Sequence, residues 1–171
     1  FELKKQLREK LRRAGVNEVL TYSFVHERTL KAAGQEPKEA YQLSNALSPN
    51  LQYYRLSLTP SLLEKVHPNI KSGHDEFALF ELGKAHRVGD VDDEGLPREY
   101  KRLAFVWAAK KSTETGYFVA KRYFELLAPD AKFVPLSDHD VTKHPVFGQL
   151  AKPFEPKRSA VILHGDDFVG V

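Results

Sequence analysis

Leucines at 3, 7 and 11 recur every fourth position in "ELKKQLREKLRRA", an otherwise polar run. That spacing predicts a helix over residues 2–14 with one narrow apolar stripe. Gly15 is a natural stop, and Arg12 and Arg13 place positive charge in the last turn, where it suits the helix dipole. The pattern then changes. "EVLTYSFV", residues 18–25, is rich in β-branched and aromatic side chains and predicts one strand. A short helix near 27–33, closed by Gly34, follows. "YQLSNALSPNLQYYRLSL" mixes short extended pieces with a polar loop at Ser48, Pro49 and Asn50. "TPSLLEKVHPNIKSG" opens as a helix, with Thr59 as N-cap and Pro60 at the first helical position. Pro68 lacks the amide that a helix interior needs, so the helix is expected to kink or end near Val66 or His67.

Two strands come next, 77–88 and 102–110, joined by the acidic segment "GDVDDEGLPRE". Their closeness predicts an antiparallel hairpin with a long tip. Residues 117–128 read as a helix stopped by Pro129, and "SAVILHGDDFVGV" as a strand pair turning at Gly165 and Asp166. Parallel neighbours need long crossovers, whereas these pairs turn directly. The expected fold class is therefore α+β, a mainly antiparallel sheet flanked by helices. Within "FALFELGKAH", side chains alternate between faces, so Glu81 shares a face with Phe77 and Leu79, and both faces are apolar. A carboxylate there needs either a partner or a chemical task.

Composition narrows the classes. The 171 residues suit one domain with a core of its own, here taken as 1–171. Apolar content of 42% and charge of 29% exclude wholesale disorder. The net charge of +3 is compatible with nucleic acid without arguing for it. Absence of cysteine excludes disulfides and thiolate metal sites and fits a cytoplasmic protein. No apolar run is long enough to span a bilayer. With no Met anywhere and a last residue inside a strand pattern, the chain is expected to be a piece of a longer one, truncated at its C-terminus.

Candidate chemistry is sparse. In "GDVDDEG", Asp90, Asp92, Glu94 and Gly95 occupy positions 1, 3, 5 and 6 of a calcium loop, but Lys101 stands where the closing acid belongs, so a solvated hairpin tip is the better reading. The seven histidines show no zinc-ligand spacing. No phosphate-cradling glycine loop and no nucleophile elbow occur. Lys4, Lys5, Arg8, Lys10, Arg12 and Arg13 suit phosphates and Tyr53 and Tyr54 suit bases, which makes a nucleic-acid-binding module the alternative function. Glu2 and Glu9 interrupt that basic run, as on an ordinary solvated helix face.

Five stretches together carry a resemblance: "GVNEVLTYSFV", "LSNALSPNLQYYRLSLTPSLLEKVHPNIKSG", "FALFELGKAH", "GYFVAKRYFELLA" and "PFEPKRSAVIL". In that order, over nearly the whole chain, they resemble the catalytic-like core of the phenylalanyl-tRNA synthetase β-subunit family. The resemblance implies a class II synthetase sheet with flanking helices. It implies a parent α₂β₂ complex that attaches phenylalanine to tRNA, with ATP and magnesium used in the α subunit. This module would bind no cofactor or metal, carry no catalytic residue, and work through contact with the α subunit, meeting tRNA through the parent complex. Active class II enzymes carry Phe-Arg-x-Glu after the corresponding strand. Here "AHRVGD" places Gly89 where the acid would follow Arg87, with Asp90 one position late. The resemblance further implies that Leu3, Leu7 and Leu11 lie at the α/β interface. Glu81 is then expected to be a structural carboxylate, partnered by Arg55 or by amides near Leu58 to Leu62.

Overall fold

The first helix ends as its sequence dictates. The computed structural model describes residues 2–111, 115–140 and 145–171, and α1 spans Glu2–Arg13. Gly15 takes φ +81°. Its amide donates to Arg12 O at 3.0 Å, and that of Val16 to Leu11 O at 3.0 Å. This is the Schellman pattern, sealed by contact between Leu11 and Val16 in the core.

The centre of the fold is a hairpin of β4 (Glu76–Ala85) and β5 (Tyr100–Ala109), paired antiparallel over ten positions. β1 (Asn17–Glu18) adds to β4 in parallel, giving the order β1-β4-β5. Alternation sorts β4 onto two faces. Ala78 and Phe80 join Leu11 and Val16 in one core cluster, packed by Leu103, Phe105 and Trp107 of β5 and by Tyr123 and Leu127 of α4 (Gly116–Leu127). Fully burying a side chain such as Phe80 contributes about 1.5–3 kcal/mol. The other face carries Glu81 and Gly83.

A two-stranded ladder, β2 (Phe24–Val25) with β3 (Tyr53–Tyr54), packs with α2 (Glu27–Ala32) around Leu30 and Leu56. α3 (Thr59–Lys71) follows β3. The C-terminal part forms a second antiparallel sheet, β6 (Lys132–Pro135), β7 (Ala160–His164) and β8 (Asp167–Gly170), with α5 (Pro145–Ala151), around Val161 and Leu136. The turn between β7 and β8 falls at Gly165 and Asp166.

Three local expectations are corrected. The strand expected over 18–25 is two short pieces in different sheets. Val19 N still donates to Phe80 O at 2.8 Å, but the chain then leaves the sheet. α3 does not end at Val66 or His67 and runs to Lys71 through Pro68. Pro68 and Glu64 are both exposed, so the carbonyl that loses its amide partner meets water. Thr59 is not the N-cap either. The cap is Leu58, with no side-chain hydrogen bond, and Thr59 is the first helical residue. Pro60 thus sits second, where its missing amide is one the helix leaves unpaired anyway.

Candidate functional site

Glu81 is fully buried, at 0% exposure. Its surroundings are assembled from three separate segments. Arg55, directly after β3, is 3% exposed, and its Nη2 lies 2.8 Å from Glu81 Oε1. That contact is an ion pair held by charge and proximity rather than by an aligned hydrogen bond. Thr21, in the segment that left the sheet, donates from Oγ1 to Glu81 Oε2 at 2.6 Å and accepts from Arg55 Nη1 at 2.7 Å. Arg55 Nε donates to Lys84 O at 3.2 Å. The result is a closed Arg55–Thr21–Glu81 triangle. Taking two charges out of water costs several kcal/mol each, offset only where each is paired and hydrogen-bonded. Gly83 makes room for it: a Cβ there would meet Arg55 Nη2 at 2.5 Å. The carboxylate is closed off from solvent.

Sequence reasoning named Glu81 and Arg55 and missed Thr21. Thr21 is one of three adjacent hydroxyl-bearing residues, with Tyr22 and Ser23, and nothing in that run singles it out.

Arg87 lies just past the end of β4. Its Nη2 stands 3.2 Å from Glu39 Oε2, and Val88 N donates to Glu39 O at 2.9 Å. The guanidinium is thus engaged by its own chain. Next to it is a cavity of about 20 Å³, lined by Leu56, Ala85, His86, Tyr100, Arg102 and Gln149. Burial pushes the His86 imidazole below its ordinary pKa, and the ring packs edge-on against Tyr54 at 4.5 Å. An apolar cleft of about 330 Å³ lies elsewhere, between β5, α4 and the C-terminal sheet, with Phe105, Phe124, Phe133 and Ile162 among its walls.

The acidic segment builds the hairpin tip. Asp92 Oδ1 accepts from the amides of Glu94 at 3.0 Å and Leu96 at 2.9 Å. Asp90 pairs with Arg98 and accepts from Tyr100 OH. Among the described residues, no group of three or more metal-ligating side chains stands together, and no helix is long and apolar enough to cross a membrane.

The leucine stripe of α1 does not present as a unit. Leu11 is 0% exposed inside this chain's own core, Leu7 is half-buried and Leu3 is 67% exposed. The stripe turns outward toward the N-terminus, with Leu11 packed inside this chain's own core. Three of the basic residues are occupied: Arg8 pairs with Glu18 at 2.7 Å, Arg13 with Glu9 at 2.9 Å, and Lys10 Nζ donates to Leu126 O at 3.1 Å. Tyr53 and Tyr54 are half-buried, and the Tyr54 ring packs on Phe24 at 4.6 Å.

The family model for the phenylalanyl tRNA synthetase beta chain CLM domain matches residues 1–171. The phenylalanine–tRNA ligase beta subunit of Fusobacterium nucleatum is 26% identical over 179 residues, covering 100% of this chain and 21% of that protein. The one from Solibacter usitatus is 32% identical over 123 residues, covering 71% of this chain and 15% of that protein. The chain therefore spans about a fifth or less of these relatives' length. Among solved structures, the pyrrolysyl-tRNA synthetase of Desulfitobacterium hafniense superposes with a TM-score of 0.65 at 16% identity. That match covers 98% of this chain and 56% of the synthetase. It shows the fold alone: an α+β class II synthetase core.

Proposed function

The chain belongs to the phenylalanyl tRNA synthetase beta chain CLM domain family, and on that premise we propose that residues 1–171 form one non-catalytic, class II-like module of a phenylalanine–tRNA ligase. The parent complex joins phenylalanine to tRNA in the cytoplasm, using ATP and magnesium in its α subunit. This module contributes by holding the α and β subunits together.

The observation that carries this reading is Arg87. By the resemblance it is the nearest candidate in this chain for the arginine that working enzymes of the class bring to the ATP α-phosphate, a contact that stabilises developing charge. Here the guanidinium pairs with Glu39. Gly89 replaces the acid of the motif, and the neighbouring cavity, about 20 Å³, is the size of a solvent molecule rather than a nucleotide. The residues present do not fit ATP. Glu81 supports the same reading as a structural carboxylate, since its oxygens already face Thr21 and Arg55.

The contact surface proposed for the α subunit is the outward end of the α1 stripe, Leu3 and Leu7, with Leu11 as its inner anchor. Tyr53 and Tyr54 are half-buried and three of the six basic residues of α1 are engaged within the chain, which favours tRNA being met through the parent complex rather than by this face.

Mixing the chain with the α subunit of the same organism and measuring association by calorimetry tests the proposal. Complex formation without ATP–pyrophosphate exchange by the isolated chain is the expected result. Exchange that depends on Arg87, or no association, overturns it.

A further inference from the structure

The cavity beside Arg87 has walls that no apolar core would choose. His86 is 8% exposed and Gln149 is 9% exposed, and among the described residues neither His86 Nδ1 nor Gln149 Oε1 has a hydrogen-bond partner. Burial holds the imidazole toward its neutral form, against a smaller upward pull from the Arg98 backbone. A neutral ring with its proton on Nε2 presents Nδ1 as an acceptor. Gln149 Oε1 is an acceptor as well. Leaving such a group dry is unfavourable. Arg102 completes the lining: it is half-buried, lies over the Tyr100 ring at 4.7 Å, and brings N–H donors to the same space.

Size decides what fits. One water needs about 10–15 Å³ of this kind of volume and two to four polar partners. The cavity offers about 20 Å³, with His86, Arg102 and Gln149 among its polar walls. Donor and acceptor counts also agree, because water has two protons for two acceptors and lone pairs for a cationic donor.

We propose that this cavity is a binding site for a single water, which donates to His86 Nδ1 and Gln149 Oε1 and accepts from Arg102. The water then acts as a joint. The backbone oxygen of Gln149 accepts from Gln35 Nε2 at 3.2 Å, and the same amide donates to Ser57 Oγ at 2.9 Å. Gln149 thus ties α5 to the segment after α2 directly, and to the residue following β4 through the water.

A crystal structure of the chain at a resolution that shows ordered solvent tests this. One peak within about 2.6–3.2 Å of both His86 Nδ1 and Gln149 Oε1 is expected. A dry cavity, or a direct bond between the two side chains, overturns the proposal. Nitrogen NMR of His86 gives an independent reading: the Nε2–H tautomer with a hydrogen-bonded Nδ1 is expected, and an Nδ1–H tautomer overturns it. In Gln149→Met the Nδ1 resonance should move toward that of a non-bonded nitrogen. An unchanged resonance in a folded variant also overturns the proposal.

Discussion

A β-carbon placed on Gly83 would stand 2.5 Å from Arg55 Nη2. The same carbon would lie 2.9 Å from Leu58 Cδ2 and 3.1 Å from Glu81 Oε1. None of these neighbours is free to give way, because Arg55, Leu58 and Glu81 are all buried. The glycine is required by space rather than by an unusual backbone angle. Gly83→Ala is therefore expected to destabilise the chain by about 1–3 kcal/mol, as overpacking does. Urea denaturation measures it, and a wild-type midpoint would show that the triangle tolerates a shift.

The Arg55–Glu81 pair should behave as a unit. Removing one partner leaves a buried, uncompensated charge, a loss of about 3–5 kcal/mol. Replacing both with apolar residues removes the charge problem together with the attraction. Arg55→Met and Glu81→Leu are thus expected to be strongly destabilising singly, and together to cost clearly less than their sum. Thr21→Val should cost about 1–3 kcal/mol, since it strips a hydroxyl that serves both partners. A double-mutant cycle on chemical denaturation checks the set, and strict additivity would argue against a coupled triangle.

Local chemistry made part of this legible in the sequence. The periodicity of α1, its glycine stop, the long-tipped hairpin and the last turn at Gly165 are each written in a few adjacent residues. The two-faced apolar run around Glu81 also announced a buried carboxylate. What tertiary packing decides was not legible. Residues 18–25 have strand propensity throughout, yet the chain breaks there to carry Thr21 to Glu81. Pro68 looked like a helix stop because its missing bond was visible and the exposure of the freed carbonyl was not. β6, with only Lys132–Pro135, has too short a pattern to stand out. The cavity between His86 and Gln149 joins positions far apart in the chain, which no local pattern records.

His86 should make stability depend on pH. Burial pushes its pKa down, with Lys84 acting the same way, against the upward pull of Glu99 and the Arg98 backbone bond. In the unfolded chain the ring titrates near its ordinary value, about 6.5. Between the two values the unfolded state binds more protons, so stability rises with pH there. The contribution is complete above about 6.5 and is lost as pH falls from there toward the folded value. Thermal unfolding of the wild type and of His86→Phe between pH 7.5 and pH 5.5 (about one unit either side of 6.5) separates this ring from the other histidines. The wild type is expected to lose more stability over that range than the variant. Equal losses would place the dependence elsewhere.

The two ends of the α1 stripe should separate folding from assembly. Leu11 is fully buried against Val16 and Phe80, so Leu11→Ala removes core volume and should cost about 2–5 kcal/mol. Leu3 is 67% exposed, so Leu3→Ala should leave the isolated chain within about 0.5 kcal/mol of wild type. If the outward leucines meet the α subunit, the order reverses in a binding measurement. Leu3→Ala combined with Leu7→Ala should then weaken association with the α subunit by tenfold or more, about 1.4 kcal/mol. Leu11→Ala, measured where it remains folded, should weaken association far less. Paired denaturation and calorimetry on the same three variants read both quantities. Association that survives the loss of Leu3 and Leu7 would move the subunit contact away from this helix, while leaving the role of Leu11 in the core untouched.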